Sequence, residues 1–248
     1  MSGTLGELDV NEEVLGLDRR ARMAYELAYP EENRRTYAAE VPALFASERD
    51  DPATQETITN LLRDVIRFTP GNTLLFFPSY SEAERYYGRL GGDAADSELG
   101  TLILDESGVT TEDLRQQFVA SDDAALFTSL WGTLAEGVSF DGNEARTVAV
   151  IGVPYPQLSE RMEAVQDAYE RAYSGTHQKR DAGWAYAVEI PTIRKTRQAL
   201  GRVIRSPEDF GVRILADKRY TKADMGNYSV RRSFPVEERE ELVDISPE

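Results

Sequence analysis

Short apolar runs of strand length alternate along the chain with longer segments whose apolar residues recur at helical spacing. The run 73–77 is continuously apolar, as in a parallel strand that is buried on both faces. Further strands are predicted at 37–45 (a short one), 99–104, 124–128, 147–153 and, last, 212–215. Helices are predicted at 52–66, 79–90, 110–119, 158–173 and 190–204. This alternation predicts an α/β fold, a mostly parallel sheet with helices on both faces.

Ligands of such sheets bind beyond the carboxyl ends of the strands. The segments that directly follow three of the predicted strands are 78–80, 130–140 and 154–156. We therefore expect functional residues in these three segments.

The composition excludes several kinds of chemistry. The 248 residues include no cysteine and one histidine, which rules out a disulfide framework, a thiolate zinc site, an iron–sulfur cluster held by this chain alone and a histidine-based triad. Hydrophobic residues make up 41% of the chain, which is enough for a packed core. No apolar run approaches the ~18 residues of a spanning helix, and no basic and then apolar leader opens the chain. A cytoplasmic protein with no membrane partner is expected.

Charge is abundant and unevenly distributed. The chain has 44 acidic and 28 basic residues, a net charge of −16, and only four of the basic residues are lysines. An acidic, lysine-poor surface stays soluble in concentrated salt, so a halophilic, haloarchaeal source is expected. In residues 175–222, eleven cations and five acids give +6, which leaves −22 for the rest. This basic island predicts an anionic partner, and the alternative is that it only neutralises an acidic neighbouring surface.

The predicted helix 190–204 carries the strongest candidate site. On a helical wheel, Arg194, Gln198, Arg202 and Arg205 form one stripe opposite the apolar positions. Arginine binds phosphate oxygens through paired hydrogen bonds. Gly201, unfavourable inside a helix, predicts close approach by another backbone or a ligand. The alternative is a solvated basic face that pairs with acids elsewhere.

The other half of a phosphate site is missing from the sequence. There is no glycine-rich loop of the form GxxxxGK[ST], no GxGxxG opening a helix, and no acid pair placed to hold Mg²⁺. The chain therefore supplies cations for binding a phosphate but no loop that would enclose it. This fits one half of a nucleotide site whose other half lies elsewhere.

Five segments resemble, in the correct order, the motifs of one group of helicases. QALGRVIR at 198–205 resembles motif VI, QxxGRxxR, of superfamily 2 helicases, and the SPEDFGVRILADKRY that follows at 206–220 resembles the XPD/DinG group in particular. The other four segments are WGTLAEGVSF at 131–140 (motif V), NTLLFFPSY at 72–80 (motif IV), GVPY at 152–155 (the GVPY or GLPF segment) and MSGTL at 1–5 (motif III).

The resemblance implies the second RecA-like motor domain of an XPD/DinG-type DNA helicase over residues 21–225. Residues 1–20 would be the end of the first motor domain or a linker. The first motor domain, with the Walker A lysine and any iron–sulfur cluster, would precede motif III in a longer chain or be a separate protein. ATP with Mg²⁺ would lie between the two domains, so the isolated chain is expected to be inactive. The charged composition after Tyr228 predicts a peripheral tail over 226–248.

The resemblance also implies roles in nucleotide binding. Arg205 would be the arginine finger, and Arg202 and Gln198 would contact phosphate or the attacking water. Such a finger is worth about 10³–10⁵ in rate where it has been measured. The remaining nucleotide-binding positions would be Glu136, Gly137, Ser139 and Gly201. Ser139 stands where the family usually has Asp, which removes a carboxylate and leaves open any ribose or Mg²⁺-linked contact there.

Single-stranded DNA would be contacted by Ser79, Tyr80, Trp131, Gly132 and Arg194. Stacking of a base on an aromatic ring is worth about 1–3 kcal/mol. The alternative for Tyr80 and Trp131 is that they are partly buried packing residues. The alternative for the whole chain is a freestanding, non-enzymatic module, derived from this domain, that binds DNA or a protein as a regulator.

Overall fold

The central feature is a sheet in which every strand pair is parallel. The computed structural model describes residues 8–17, 21, 29–91, 99–138, 140, 142, 144–174, 181–204, 206–223 and 228–246. Its strands are β1 (Thr36–Ala39), β2 (Thr73–Phe77), β3 (Thr101–Leu104), β4 (Ala124–Ser129), β5 (Thr147–Ile151), β6 (Val212–Ala216) and β7 (Leu242–Ile245). Their order across the sheet is β3-β4-β2-β5-β6-β1-β7.

Helices connect the strands, and several of them begin at a capping side chain. They are α1 (Leu8–Val14), α2 (Pro52–Phe68), α3 (Tyr80–Arg89), α4 (Thr111–Val119), α5 (Leu134–Gly137), α6 (Glu160–Tyr173), α7 (Ala182–Trp184), α8 (Ile190–Leu200) and α9 (Val236–Glu241). Asp51, Ser79 and Thr110 accept a hydrogen bond from the backbone N–H three residues further on, which satisfies an otherwise unpaired donor at the start of α2, α3 and α4.

Both faces of the sheet are covered. On one face, α2 and α3 bury Ile58, Leu62 and Tyr86 against alternate residues of the central strands. On the other face, α4, α5 and α8 contribute a second apolar cluster that includes Phe118 and Leu200. The predicted α/β class, with a parallel sheet and helices on both faces, is confirmed. No helix among the described residues has the length and apolar character needed to cross a membrane.

The helix predicted at 190–204 differs at both ends. A π-helical turn (Ala185–Glu189) joins α7 to α8, so the helical segment begins earlier than predicted. It ends at Leu200, and Gly201 is the C-cap instead of an interior residue. Val203 and Ile204 continue the apolar pattern of the helix although the backbone is no longer helical there. The pattern in the sequence therefore predicts a longer helix than the one observed. Arg202 therefore does not continue the stripe of Arg194 and Gln198.

The predicted peripheral tail is wrong for its described part. Strand β7 pairs in parallel with β1, so β6 is not the last strand of the sheet. Phe234 and Leu242 are buried in the core. Arg231, 4% exposed, donates hydrogen bonds to the carbonyl oxygens of Tyr220 and Leu242. The few apolar residues of this charged segment are the ones that the sheet uses.

Helix α6 is present as predicted, but its apolar stripe is not part of the core. None of its residues is buried, and Val165 is 38% exposed. The helix packs against α7 and the π-helical turn, where Tyr169 and Tyr173 form a ring cluster with Tyr186.

Candidate functional site

Three of the segments singled out in the sequence meet at one edge of the sheet. Strands β4, β2 and β5 are neighbours and all point the same way, so the residues that follow them lie side by side at the carboxyl-terminal edge. Ser79, predicted to contact DNA, uses its hydroxyl to cap α3, and its oxygen lies 2.9 Å from that of Ser81. The residue after it, Tyr80, is 46% exposed.

The Tyr80 side chain is held by polar groups from the two neighbouring strands. Asp105 follows β3 and accepts a hydrogen bond of 2.6 Å from the Thr128 hydroxyl of β4. Burial, followed by the negative charge of Asp105 and hydrogen bonding to it, raises the pKa of the Tyr80 phenol. The phenol is therefore protonated at neutral pH, and its position is fixed while much of the residue stays accessible.

Gly132 provides the space for this arrangement. A Cβ atom added to Gly132 would lie 2.4 Å from the Tyr80 hydroxyl oxygen and 3.0 Å from the Ser129 carbonyl oxygen. Both distances are shorter than ordinary van der Waals contact. The glycine, singled out in the sequence as a DNA contact, is therefore required by the neighbouring tyrosine.

Trp131 is the second accessible aromatic residue at this edge, with 37% of its surface exposed. Its indole Nε1 donates a hydrogen bond of 3.1 Å to the Pro154 carbonyl oxygen. The ammonium nitrogen of Lys195 lies 4.6 Å from the centre of its ring, a cation–π contact. Lys195 was not among the predicted site residues. Its position next to Arg194 in the predicted helix is the signal in the sequence that could have found it.

Arg202 connects α8 to the segment of motif V. Its guanidinium group donates hydrogen bonds to the carbonyl oxygens of Ala135 and Val138. Lys195 lies in the middle of α8 and Arg202 just beyond its C-cap, so α8 and the residues that follow it contact the motif V segment at two separated points. Arg194 is partly buried within α8.

The environment of Gly201 differs from the prediction. A Cβ atom there would lie 3.5 Å from the carbonyl oxygens of Arg197 and Gln198, which is ordinary contact, so no close approach by another backbone depends on this glycine, and approach by a ligand stays a prediction. Gln198 and Gly201 both border a cavity of about 260 Å³ at the amino-terminal edge of the sheet.

Other predicted nucleotide-binding residues are less fully described. Arg205 and Ser139 lie outside the described residues, so their roles stay predictions. The backbone of Glu136 and Gly137 lies in α5. Among the described residues, no group of three or more His, Asp or Glu side chains is placed to hold a metal ion.

Part of the basic island is paired with acids from the C-terminal segment. Arg197 forms a two-pronged ion pair with Glu238, with Nε at 2.8 Å and Nη2 at 2.5 Å from the carboxylate oxygens. Arg219, 2% exposed, forms a second two-pronged pair with Asp217 within the island itself. The charges of these two cations are therefore neutralised by neighbouring acids, as the alternative interpretation of the basic island expects.

The comparisons with known proteins agree on one family. Residues 62–234 match the family model described as the helicase C-terminal domain. The XPD helicase subunit of the general transcription and DNA repair factor IIH is 27% identical in Schizosaccharomyces pombe over 238 residues, and 30% identical in Arabidopsis thaliana over 195 residues. These alignments cover 90% and 71% of this chain, but only 30% and 24% of the relatives, so the chain spans less than a third of their length.

Solved structures give the same fold. An XPD helicase structure superimposes with a TM-score of 0.72 at 21% identity, covering 100% of this chain and 42% of the other. A structure of XPD in its apo form gives a TM-score of 0.73 at 20% identity, covering 100% and 48%. Because the family model spans well over half of its residues, this chain belongs to the helicase C-terminal domain family, as a second RecA-like domain of the XPD/DinG type in superfamily 2.

Proposed function

We propose that this chain is the second motor domain of an ATP-dependent DNA helicase, which completes an ATP site and binds single-stranded DNA together with a first motor domain. The observation that carries the proposal is the double contact between α8 and the motif V segment. One contact, Lys195 on Trp131, lies at the carboxyl-terminal edge of the sheet, and the other, Arg202 on two carbonyl groups, lies near the motif VI glycine. The second half of α8 and the two residues after it thus join the two proposed ligand sites.

The proposed DNA site is the exposed aromatic pair at the carboxyl-terminal edge. Tyr80 and Trp131 are close together, because the Tyr80 hydroxyl lies against Gly132, the residue after Trp131. Lys195 adds a positive charge beside the indole for the phosphate backbone. Ser79, Gly132 and Arg194 complete the site, Ser79 and Gly132 by holding Tyr80 and the start of α3 in place.

The proposed nucleotide site lies at the C-terminal end of α8. Arg202 donates to the carbonyl groups of Ala135 and Val138, which holds its guanidinium group beside the motif V segment, where it would contact a phosphate oxygen. Arg205 acts as the arginine finger, and Gln198 orients the attacking water. The remaining nucleotide contacts are assigned to Glu136, Gly137, Ser139 and Gly201.

The other components come from outside this chain. ATP with Mg²⁺ supplies the hydrolysis that powers movement along DNA, and the first motor domain supplies the phosphate cradle and the metal ligands. An iron–sulfur cluster belongs to that part if one is present, since this chain has no cysteine to hold it. Cytoplasmic location and a halophilic source stay part of the proposal.

The test is DNA-stimulated ATP hydrolysis by this chain combined with a first motor domain. We expect negligible hydrolysis by the chain alone and hydrolysis by the combination. Arg205→Ala should lower the rate by about 10³-fold or more, within the range measured for arginine fingers. Arg89→Ala, on the far face of the sheet, is the matched control. A combination that hydrolyses ATP equally well with Arg205→Ala contradicts the finger assignment.

A second candidate is the non-enzymatic regulatory module, which the Ser139 substitution in motif V favours. In that case the chain binds single-stranded DNA or a protein with no dependence on ATP, and no first domain restores hydrolysis. Measuring DNA affinity of the combination with and without ATP separates the two functions.

A further inference from the structure

A second candidate ligand site lies at the amino-terminal edge of the sheet, away from the aromatic pair. A cavity of about 260 Å³ opens there between the C-terminal end of α8 and the starts of three neighbouring strands. Thr36 of β1 lies between Arg213 of β6 and Leu242 of β7, and all three residues line the cavity. We call it the amino-edge cavity.

The walls of the amino-edge cavity are of two kinds. One wall is apolar and belongs to the main core, with Leu200, Ile204 and Phe234. The other wall is mainly cationic, because three arginine side chains reach the cavity beside one acid, Glu238: Arg34, Arg197 and Arg213.

The charges of this cationic wall do not balance. Arg34 forms an ion pair of 2.6 Å with Glu241, and Arg197 forms its two-pronged pair with Glu238. Arg213 forms no ion pair with any described residue. Its Nη2 donates to the backbone carbonyl oxygen of Arg34, a neutral partner. The carboxylates whose charges act on Arg213, Glu238 and Glu241, are already paired with Arg197 and Arg34, so three guanidinium groups share two carboxylates.

The hydrogen-bonding capacity of the same arginines is also incompletely used. Arg34 and Arg213 each make one side-chain hydrogen bond, through Nη2, to a described residue. The Nη1 group of each has no such partner, and it is not among the polar atoms that are buried from solvent. Burial lowers the pKa of the Arg213 guanidinium to about 10, and the charge of Arg34 adds to this shift while the charges of Glu238 and Glu241 oppose it.

We propose that the amino-edge cavity binds a small tetrahedral oxyanion of the phosphate class between Arg34 and Arg213. An anion there accepts hydrogen bonds from both Nη1 groups and supplies the missing counter-charge. The cavity is smaller than sites that enclose drug-sized ligands, which favours a small ion or a single phosphate group over a whole nucleotide triphosphate. The negative end of the α8 dipole offers the competing explanation, that peptide carbonyl groups alone stabilise Arg213.

This site is distinct from the proposed nucleotide contact of Arg202. Arg202 points to the carbonyl groups of Ala135 and Val138 and does not line the cavity. Gln198 and Gly201, however, border the cavity. A bound anion would therefore contact the same end of α8 that the proposed motor uses, although its binding does not depend on that function.

The experiment is thermal unfolding of the whole chain in inorganic phosphate and in chloride at equal ionic strength. We expect phosphate to raise Tm by about 5 °C when its concentration is roughly a hundredfold above Kd. Arg213→Met and, independently, Arg34→Met should abolish the shift, and Arg213→Lys should reduce it. Arg89→Met, an arginine bonded to Thr59 and Gln55 on the other side of the sheet, should keep it.

An unchanged Tm in phosphate, or a shift that survives both Arg213→Met and Arg34→Met, overturns the proposal and leaves the helix dipole as the explanation of Arg213.

Competition identifies the source of the phosphate group. Displacement of bound phosphate by ATP is monitored by ³¹P NMR. If ATP displaces the phosphate, the site is assigned to a nucleotide phosphate, and if it does not, the site is assigned to free phosphate. Arg202→Ala separates this site from the motor, since it should impair hydrolysis by the combined domains and leave the phosphate shift intact.

Discussion

The hydroxyl group of Tyr80 occupies the space that a side chain at Gly132 would need, 2.4 Å from where its Cβ would lie. This contact joins the first residue of α3 to the loop after β4, and hence motif IV to motif V. Any change at position 132 is therefore transmitted to an accessible aromatic ring.

Gly132→Ala should displace the Tyr80 ring and cost about 1–3 kcal/mol of stability, as overpacking typically does. Because the hydroxyl then leaves Asp105 and its buried position, the raised pKa of Tyr80 should fall toward its ordinary value. Ultraviolet difference titration of the tyrosines measures this, with Tyr80→Phe identifying the signal. If Gly132→Ala leaves the Tyr80 titration unchanged, the contact is not tight in solution.

Trp131→Ala should weaken binding of single-stranded DNA by about 5- to 150-fold, the equivalent of one stacked base. Trp184, the other tryptophan, packs on Tyr155 at 5.2 Å between ring centres and serves as the control. Trp184→Phe should preserve both the affinity and the quenching of tryptophan fluorescence by DNA, measured at low salt. Quenching that persists in Trp131→Phe and is lost in Trp184→Phe would refute the proposed DNA site.

Arg202→Met should loosen the motif V segment from α8. It removes the donor to two carbonyl groups of buried residues, and a buried acceptor left without a partner costs about 1–3 kcal/mol. Hydrogen exchange should accelerate in residues 134–138. Arg197→Met, near the end of α8, breaks the ion pair with Glu238 instead, and it should leave that exchange unaltered.

Glu82→Gln should stabilise the protein at neutral pH. Glu82 is 3% exposed, its Oε2 atom has no hydrogen-bond partner, and burial raises the pKa of its carboxyl group above the ordinary 4.5. The folded state thus binds this proton more tightly than the unfolded state, so stability from this group is present below about pH 4.5 and is lost as pH rises through the folded pKa.

The gain from Glu82→Gln should therefore be about 1 kcal/mol at pH 7 and vanish below about pH 4. Urea unfolding at both pH values measures it, with Glu84→Gln, an exposed neighbour in α3, as the control. A variant that is less stable than the original at pH 7 would show that Arg85, 3.7 Å away, outweighs desolvation.

Potassium chloride should stabilise the fold up to molar concentration. With a net charge of −16, the chain repels itself at low salt, and screening relieves that repulsion. Thermal melting from low to molar KCl measures the effect. Equal stability across that range would contradict the halophilic interpretation.

Local signals in the sequence predicted most of the fold. Apolar runs and capping residues such as Asp51 and Thr110 act over a few neighbours, so their elements were confirmed within a few residues. Strand β7 was missed because it has only four residues, two of them exposed, and its partner β1 lies some two hundred residues earlier. No local pattern can specify such a pairing.

The sequence names candidate residues for the site, which stay predictions, but it does not indicate their contacts. Motif V and motif VI were recognised, but the bond from Arg202 to the Val138 carbonyl group spans 64 residues and involves a backbone acceptor. Backbone acceptors leave no residue-type signal. Likewise, the unbalanced charge of Arg213 depends on which carboxylates of the C-terminal segment reach Arg34 and Arg197.

Strand β1 lies between two strands that are synthesised long after it. Its partner residue in β6 follows Thr36 by 177 positions, and its partner in β7 by 206. During translation, the backbone N–H and C=O groups on both edges of β1 therefore have no partner strand until β6 and β7 have left the ribosome. Such long-range closure is slow, and a nascent chain stalled before residue 212 offers an open β template to chaperones or to other nascent copies.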